Sequence, residues 1–551
     1  MDIYQTFRGK TIFFTGVTGF VGKVFLWKLF KEFPDLDNII VLIRTKKGQK
    51  PLDRLKKEVL SSACFEPLKK QIGEEEWQRR VSKVIGVSGD IMDERLGMSD
   101  EDYAMTASKV NFIVHMAATV NFDERLDTSV KMNVLGSMRV LALAQKATKL
   151  EGYVHMSTCY VNYQRHHRQV VRETIYPLPF DAEDMCKYIL SHDPQVIHLV
   201  TERVLKQYGF PNTYTLTKAM GEQILERRKG DLPLTIIRPA IIGCAWREPM
   251  PGWVDALTAA GGIFLTAGLG ILRELHIKPS NITDLVPVDY VVNSTIKLLH
   301  RTATFYNAKK QPMARAITAP RPAAIATAAG KPDVSFALSV GSAAATAGST
   351  VNHVSSASSA GTADGIAPST LPFVYQASTS SSLNVMRWET AWVAVHEYWS
   401  KHPHPKAIHK VDMAMIPNYM VYVLRMYFMR VIPIAALKVV SSLPVVGNPQ
   451  RKKLVERLER AVFRSWDLQR QFSPFVNNEW CFDATNSSGL DEYIKPEQLK
   501  NFSCDPYDIN WHAYTLAYSY GMVIYIMKTA DGRSAPVMPA SGSELFAKAS
   551  L

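Results

Sequence analysis

"NTYTLTKAMGEQIL", residues 212–225, carries a tyrosine and a lysine four positions apart, Tyr214 and Lys218. On a helix that spacing puts both side chains on one face, about 6 Å apart. A phenol with its ordinary pKa of about 10 is a poor acid–base catalyst at neutral pH. An ammonium beside it favours the phenolate and is expected to lower that pKa. "MSTCYVN", residues 156–162, adds two hydroxyls, Ser157 and Thr158, at the end of the apolar run "GYVHMS". Either can hydrogen-bond a substrate carbonyl. Together these groups polarise a carbonyl and protonate its oxygen as a hydride arrives, and Lys218 can also hold a ribose.

Such chemistry needs a hydride carrier, and the N-terminal elements are suited to hold one. Thr11 to Phe14 is a short β-branched and aromatic run that reads as a buried strand. The segment after it has apolar residues at Val21, Val24, Phe25, Leu29 and Phe33, which is helical spacing. Gly16, Gly19 and Gly22 therefore sit in a strand-to-helix turn, where backbone N–H groups and the positive helix end suit a pyrophosphate. The pattern is GxxGxxG rather than the GxGxxG fingerprint, and taken alone it fits an ordinary turn equally well. "NIIVLIR", residues 38–44, is a second buried strand. At its end stand Arg44, Lys46 and Lys47, with no acid to bond a ribose 2′-hydroxyl. Arg44 suits a 2′-phosphate, which favours NADPH over NADH, with a solvated basic loop as the alternative reading. A third strand runs to Asp90, and a fourth to His115, Ala117 and Ala118. Strands alternating with helical stretches predict an α/β, doubly wound sheet. His115 is expected to pack and hydrogen-bond rather than to act as a ligand, and no metal site is expected. "TIIRPAIIG" places Arg238 and Pro239 after a further strand, where they either close over a nicotinamide or donate to backbone carbonyls.

The chain has 551 residues, 47% hydrophobic and 21% charged, which implies globular structure in two or more domains. Its net charge of +13 favours anionic partners such as nucleotides, CoA or acidic lipid surfaces. No basic stripe with interleaved aromatics is present, so nucleic acid is not an expected partner. Six scattered cysteines predict free thiols in a reducing compartment. The first ten residues lead directly into the first strand without a signal-peptide apolar region. Residues 1–400 are expected to form the dinucleotide-binding domain, interrupted at about 308–370 by an Ala/Ser/Gly/Thr/Pro-rich, disordered insert. Residues 405–530 form a helical domain, and 531–551 a flexible tail. Within it, 413–446 is strongly apolar but broken by Arg425, Arg430 and Lys438. It reads either as a membrane-surface helix or hairpin with its cations at headgroups, or as the buried core of the second domain.

Residues 11–300 resemble the extended short-chain dehydrogenase/reductases. The whole chain outside the insert resembles the alcohol-forming fatty acyl-CoA reductases, through "TGVTGFVGKVFLWKLF", "VHMAATVNFDERLDTSVKMNVLGS", "VHMSTCYVN", "YTLTKAMGE", "RPAIIG" and "GWVD". The C-terminal segment 475–522 is similar to that family's small helical domain. The resemblance implies a Rossmann-type sheet with a smaller, mainly helical C-terminal domain. It extends the cofactor site to Thr15, Thr18, Phe20, Ile91 and Asn133, beside Gly16, Gly19, Gly22, Arg44, Asp90, Ala117, Ala118, Tyr214, Lys218, Arg238 and Pro239. It implies two NADPH-dependent reductions that take a long-chain acyl-CoA through an aldehyde-level intermediate to a primary alcohol and free CoA, for wax ester or ether lipid synthesis. The expected setting is the cytosolic face of an intracellular membrane, endoplasmic reticulum before peroxisome, with a homo-oligomer and hand-off to a wax synthase as further partners. The stretch 163–211 is expected to build part of the acyl or CoA site. A sugar-nucleotide epimerase or hydroxysteroid dehydrogenase on the same scaffold is the alternative, as is a degenerate, membrane-bound scaffold.

Overall fold

Apolar runs without a polar alternation make strands buried on both faces, the condition of a parallel sheet covered by helices. The computed structural model describes residues 2–318 except 46, 47, 49, 166–168 and 258, then residues 371–442 and 449–529. Its central sheet is parallel throughout, with seven strands. These are β1 (Thr11–Thr15), β2 (Asn38–Ile43), β3 (Val84–Ser88), β4 (Phe112–His115), β5 (Gly152–Met156), β6 (Leu234–Pro239) and β7 (Val374–Ala377). They lie in the order β7-β6-β5-β4-β1-β2-β3. The winding reverses between β1 and β4, so a crevice opens beyond the carboxyl ends of these two strands.

Alternation along the strands divides the interior. Phe13, Ile40, Ile113, Tyr153 and Ile236 enter one core, and Phe14, Val41, Val114, Val154 and Ile237 enter the other. Helix α1 (Phe20–Glu32) follows β1, and its apolar face covers the second core. A Cβ at Gly22 would overlap the Gly16 carbonyl oxygen, so this glycine is what lets α1 sit close against the turn. Helix α2 (Gly136–Lys146) covers the first core, and α3 (Thr213–Arg228) contributes Leu225 to it. Helices over Ala182–Leu190 and Ile197–Tyr208 form a third apolar cluster with α3.

Helix α4 (Val288–Thr318) runs past residue 308, where the sequence predicts the start of the insert. Ala, Lys, Gln, Met and Arg in "YNAKKQPMARAIT" favour helix there, and Pro312 opposes it. Residues 319–370 and the tail 531–551 lie outside the described residues. Helix α5 (Trp388–Lys401) packs on a later helix, Trp511–Gly521, and a Cβ on Gly521 would overlap the Gly252 carbonyl oxygen. The C-terminal segment thus docks on the "GWVD" turn, and described residues on both sides of position 405 belong to one compact unit.

The apolar stretch departs from the buried-core expectation. It forms one helix, α6 (Tyr419–Ser442), packed along α7 (Pro449–Val476). Only 11% of its most apolar window is buried, so it is not the core of the second domain. Of its cations, Arg430 turns inward while Arg425 and Lys438 stay exposed. Arg430 makes a two-pronged contact with buried Glu274 at 2.6 and 3.0 Å, Arg425 lies 3.7 Å from the same carboxylate, and Lys438 pairs with Glu459. A buried carboxylate needs a partner, and these guanidiniums are the ones within reach. Residues 443–446 lie outside the described residues.

Candidate active site

The crevice beyond β1 and β4 is a cleft of about 470 Å³. The glycine turn forms its floor. Gly16 has φ +85°, a left-handed conformation that favours glycine, and a Cβ there would come 3.1 Å from the Ala117 nitrogen. Gly19 caps α1 without a side-chain oxygen, which leaves the helix N-terminus open to an anion. Thr15, Gly16, Thr18, Gly19, Phe20 and Gly22 line the cleft together with Arg44, Asp90, Ile91, Ala117 and Ala118. This set fits a nicotinamide dinucleotide: an uncapped helix end for the pyrophosphate, small residues along the floor and arginine at the far end.

His115 holds the floor together. Its Nδ1 pairs with Thr15 Oγ1 at 2.8 Å and its Nε2 with Ser137 Oγ at 3.3 Å. Burial pushes its pKa down to about 3, so it stays neutral and structural.

The chemistry-bearing residues meet at the other end. Asn212 caps α3 by accepting from the Thr215 N–H at 2.9 Å, which sets the first turn that carries Tyr214 and Lys218. Both line the cleft, with Ser157. The Ser157 N–H donates to the Ile237 carbonyl at 2.7 Å and fixes the residue at the end of β5. Its Oγ is buried and has no hydrogen-bond partner among the described residues. Thr158 bonds the Tyr160 N–H and the Pro239 carbonyl, each at 3.4 Å, and its hydrogen bond to the Tyr214 phenol favours the phenolate. Ser157 lines the cleft and Thr158 touches the phenol, so both hydroxyls stand beside Tyr214.

The electrostatics depart from the expected ammonium effect. Burial pushes the Tyr214 phenol up to about 12, against the opposing hydrogen bond from Thr158. Lys218 donates to the Met156 carbonyl at 2.8 Å, and burial pushes its ammonium down to about 8, with Glu222 acting the other way. At neutral pH the pair is a protonated phenol beside a largely charged lysine.

Three expected cofactor residues sit elsewhere. Arg238 shares the face of β6 that carries Ile236, which alternation turns under α3 and away from the cleft. There it makes a bidentate pair with Glu222 at 2.9 and 2.5 Å and donates to the Thr174 carbonyl at 2.9 Å. Pro239 contributes its carbonyl to Thr158. Asn133 spends its amide on Thr119 and on Thr217 Oγ1, the latter at 3.0 Å, and ties the floor to α3. No described residue of 163–211 lines the cleft; its two helices pack on α3 instead.

Two profiles, each described as "Male sterility protein", match residues 14–295 and 422–529. The chain belongs to this family, that of the fatty acyl-CoA reductases. Fatty acyl-CoA reductase 1 of Xenopus laevis is 28% identical over 96% of this chain and 86% of its own length. The Homo sapiens protein of that name is 27% identical over the same shares, and fatty acyl-CoA reductase 2 of Bos taurus is 29% identical over 95% and 85%. Among solved structures, the terminal R domain of the myxalamid PKS-NRPS pathway has the same fold, at TM-score 0.52 and 16% identity, covering 96% of this chain and 93% of that one.

Within this family member the cleft holds one cation that the sequence pattern did not single out. Arg54, in the short helix Pro51–Leu55, lines the cleft beside Arg44, donating to the Arg44 carbonyl at 2.6 Å and to Glu58 at 3.0 Å. Its signal is its place in the first turn after β2, on the same edge as the glycine turn. Lys46 and Lys47 lie outside the described residues.

Proposed function

We propose that the chain reduces a long-chain fatty acyl-CoA to the primary alcohol and free CoA with NADPH. The observation that carries this reading is the convergence of Tyr214, Lys218 and the unpartnered Ser157 hydroxyl at one end of a dinucleotide-shaped cleft, in a chain of this family. Arg44 and Arg54 favour a cofactor with a 2′-phosphate over one without. Bound in the cleft, the dinucleotide supplies the hydride for each of two reductions.

The protein's part is positioning and proton delivery. Ser157 Oγ donates to the thioester oxygen and polarises the carbon. Tyr214, which keeps its proton through the neutral range, gives it to the oxygen as negative charge develops. Charged Lys218 stabilises the phenolate left behind. Collapse of the resulting hemithioacetal expels CoA as a thiol and leaves an aldehyde, whose oxygen meets the same two hydroxyls in the second round. A reaction that consumes a long-chain alcohol, forming an ester or an ether, is the fitting next step.

The exposed face of α6 supports membrane association. The helix has 24 residues, enough in length and composition to span. Its ion pairs to Glu274 and Glu459 tie it to the body, which favours lying on a surface over crossing it. The cytosolic side of an intracellular membrane suits a substrate delivered as a CoA ester.

Incubation with NADPH and acyl-CoAs of graded length, followed by lipid analysis, tests the reading. Primary alcohol with released thiol is the expected product; oxidation of NADPH without thiol release would indicate another carbonyl substrate.

A further inference from the structure

One face of α7 joins the reaction centre to the exposed helix α6. Leu458, Ala461, Ser465, Leu468, Phe472 and Phe475 follow one another at alternating steps of three and four, which is a continuous stripe on a helix. At the C-terminal end of the stripe, Phe475 and Phe472 lie 5.3 and 6.1 Å, centroid to centroid, from Phe122, and Phe122 lies 5.9 Å from Tyr214. Phe122, Leu468, Phe472 and Phe475 are each only partly buried, so the strip keeps free apolar surface beside the catalytic phenol. At the N-terminal end, Leu458, Ala461 and Ser465 line a cavity of about 230 Å³ with Met429 and Leu437 of α6, and the mutually paired Arg430 and Glu274 also line it. The two ends are held in register. Asp123, next to Phe122, accepts from Arg470 at 3.3 Å and Gln471 at 2.9 Å, and Thr213 of α3 donates to the Glu124 carbonyl at 3.1 Å.

We propose that this stripe is the acyl-chain subsite, with the chain running from Tyr214 past Phe122, Phe472 and Phe475 along α7 into the cavity beneath α6. The proposal rests on the acyl-CoA reading above and deepens it. Its dimensions fit the occupant. Ser465 and Phe475 are ten residues apart, about 15 Å along a helix axis. An acyl chain of membrane lipids occupies one half of the hydrocarbon core of about 30 Å, which is the same length. Tyr214 lies two ring contacts, 5.9 and 5.3 Å, before Phe475, so a chain of that length held at Tyr214 ends along the stripe, and only longer chains reach Ser465 and enter the cavity. The cavity lies under the helix whose outer face is exposed and apolar, which places the far end of the chain on the proposed lipid side.

The test is the dependence of kcat/KM on chain length in the full-length protein, with Ala461→Trp to fill the cavity. Each methylene denied burial costs about fourfold. An acyl-CoA of about twenty-six carbons, long enough to pass Ser465, should therefore lose at least about tenfold, while a ten-carbon one, ending short of the cavity, keeps its wild-type value and NADPH affinity is unchanged. An equal loss at both lengths in a variant with wild-type melting would overturn the subsite while leaving the reductase reading intact. Wild-type protein turning over no acyl-CoA of either length would overturn the reductase reading instead. A second measurement does not depend on the variant folding: the longer of these acyl-CoAs, with a photoreactive diazirine at its methyl end, should label α6 or residues 454–468 in wild-type protein. Labelling confined to other segments contradicts the proposal.

Discussion

At the scale of single residues, the proposed reaction rests on a phenol that keeps its proton and a lysine that keeps its charge. Tyr214→Phe should lower reduction by about 10²–10⁴-fold with NADPH binding, followed by fluorescence titration, unchanged. A variant with more than half the wild-type rate would remove Tyr214 from its role. Lys218 is held at about 8 by burial. Its ammonium is present below that value and lost as pH rises through it, so kcat/KM for reduction should fall on a single limb near pH 8. Lys218→Arg should move that limb to higher pH, because a guanidinium stays charged. At the far end of the cleft, Arg44→Asp should weaken NADPH binding much more than NADH binding, since it removes a phosphate partner and adds repulsion. An unchanged ratio of the two affinities would shift the role to Arg54. Residue types and spacing were enough to expect Tyr214, Lys218, Ser157 or Thr158, and the glycine turn at one site, and Tyr214, Lys218, Ser157 and the turn do line one cleft. The direction of the Tyr214 shift was not legible, because it comes from desolvation by segments distant in sequence.

Elements explain why some expected residues are absent from the cleft. The apolar runs of β1, β2, β4 and β5 and the helical spacing of α1 were readable, since burial on both faces leaves no polar alternation. The face on which Arg238 lies was not readable from "RP" alone, because it depends on the register of β6 and on Glu222 in α3. Breaking a buried ion pair by removing one partner costs about 3–5 kcal/mol. Arg238→Met should therefore lower the melting temperature, read by calorimetry, while the folded fraction binds NADPH as before. Loss of NADPH affinity with an unchanged melt would restore Arg238 to the cofactor site.

For the whole molecule, the question is which surface meets lipid. Val421, Leu424 and Phe428 are 51%, 51% and 65% exposed. Replacing all three by Ser should leave the melt unchanged and abolish flotation with liposomes, since little buried area is lost in the folded protein. A variant that melts early and still floats would mean that these side chains pack rather than insert. That 413–446 is apolar was plain in the sequence; that Arg430 turns inward was not, because Glu274 lies some 150 residues away. The reduction itself is tested most directly by stoichiometry. With a long-chain acyl-CoA and NADPH, wild-type protein should release one thiol for every two NADPH oxidised and yield one primary alcohol, and the Tyr214→Phe protein should do neither. NADPH consumed without thiol, or thiol released without NADPH, would contradict the reading of this cleft as an acyl-CoA reductase site.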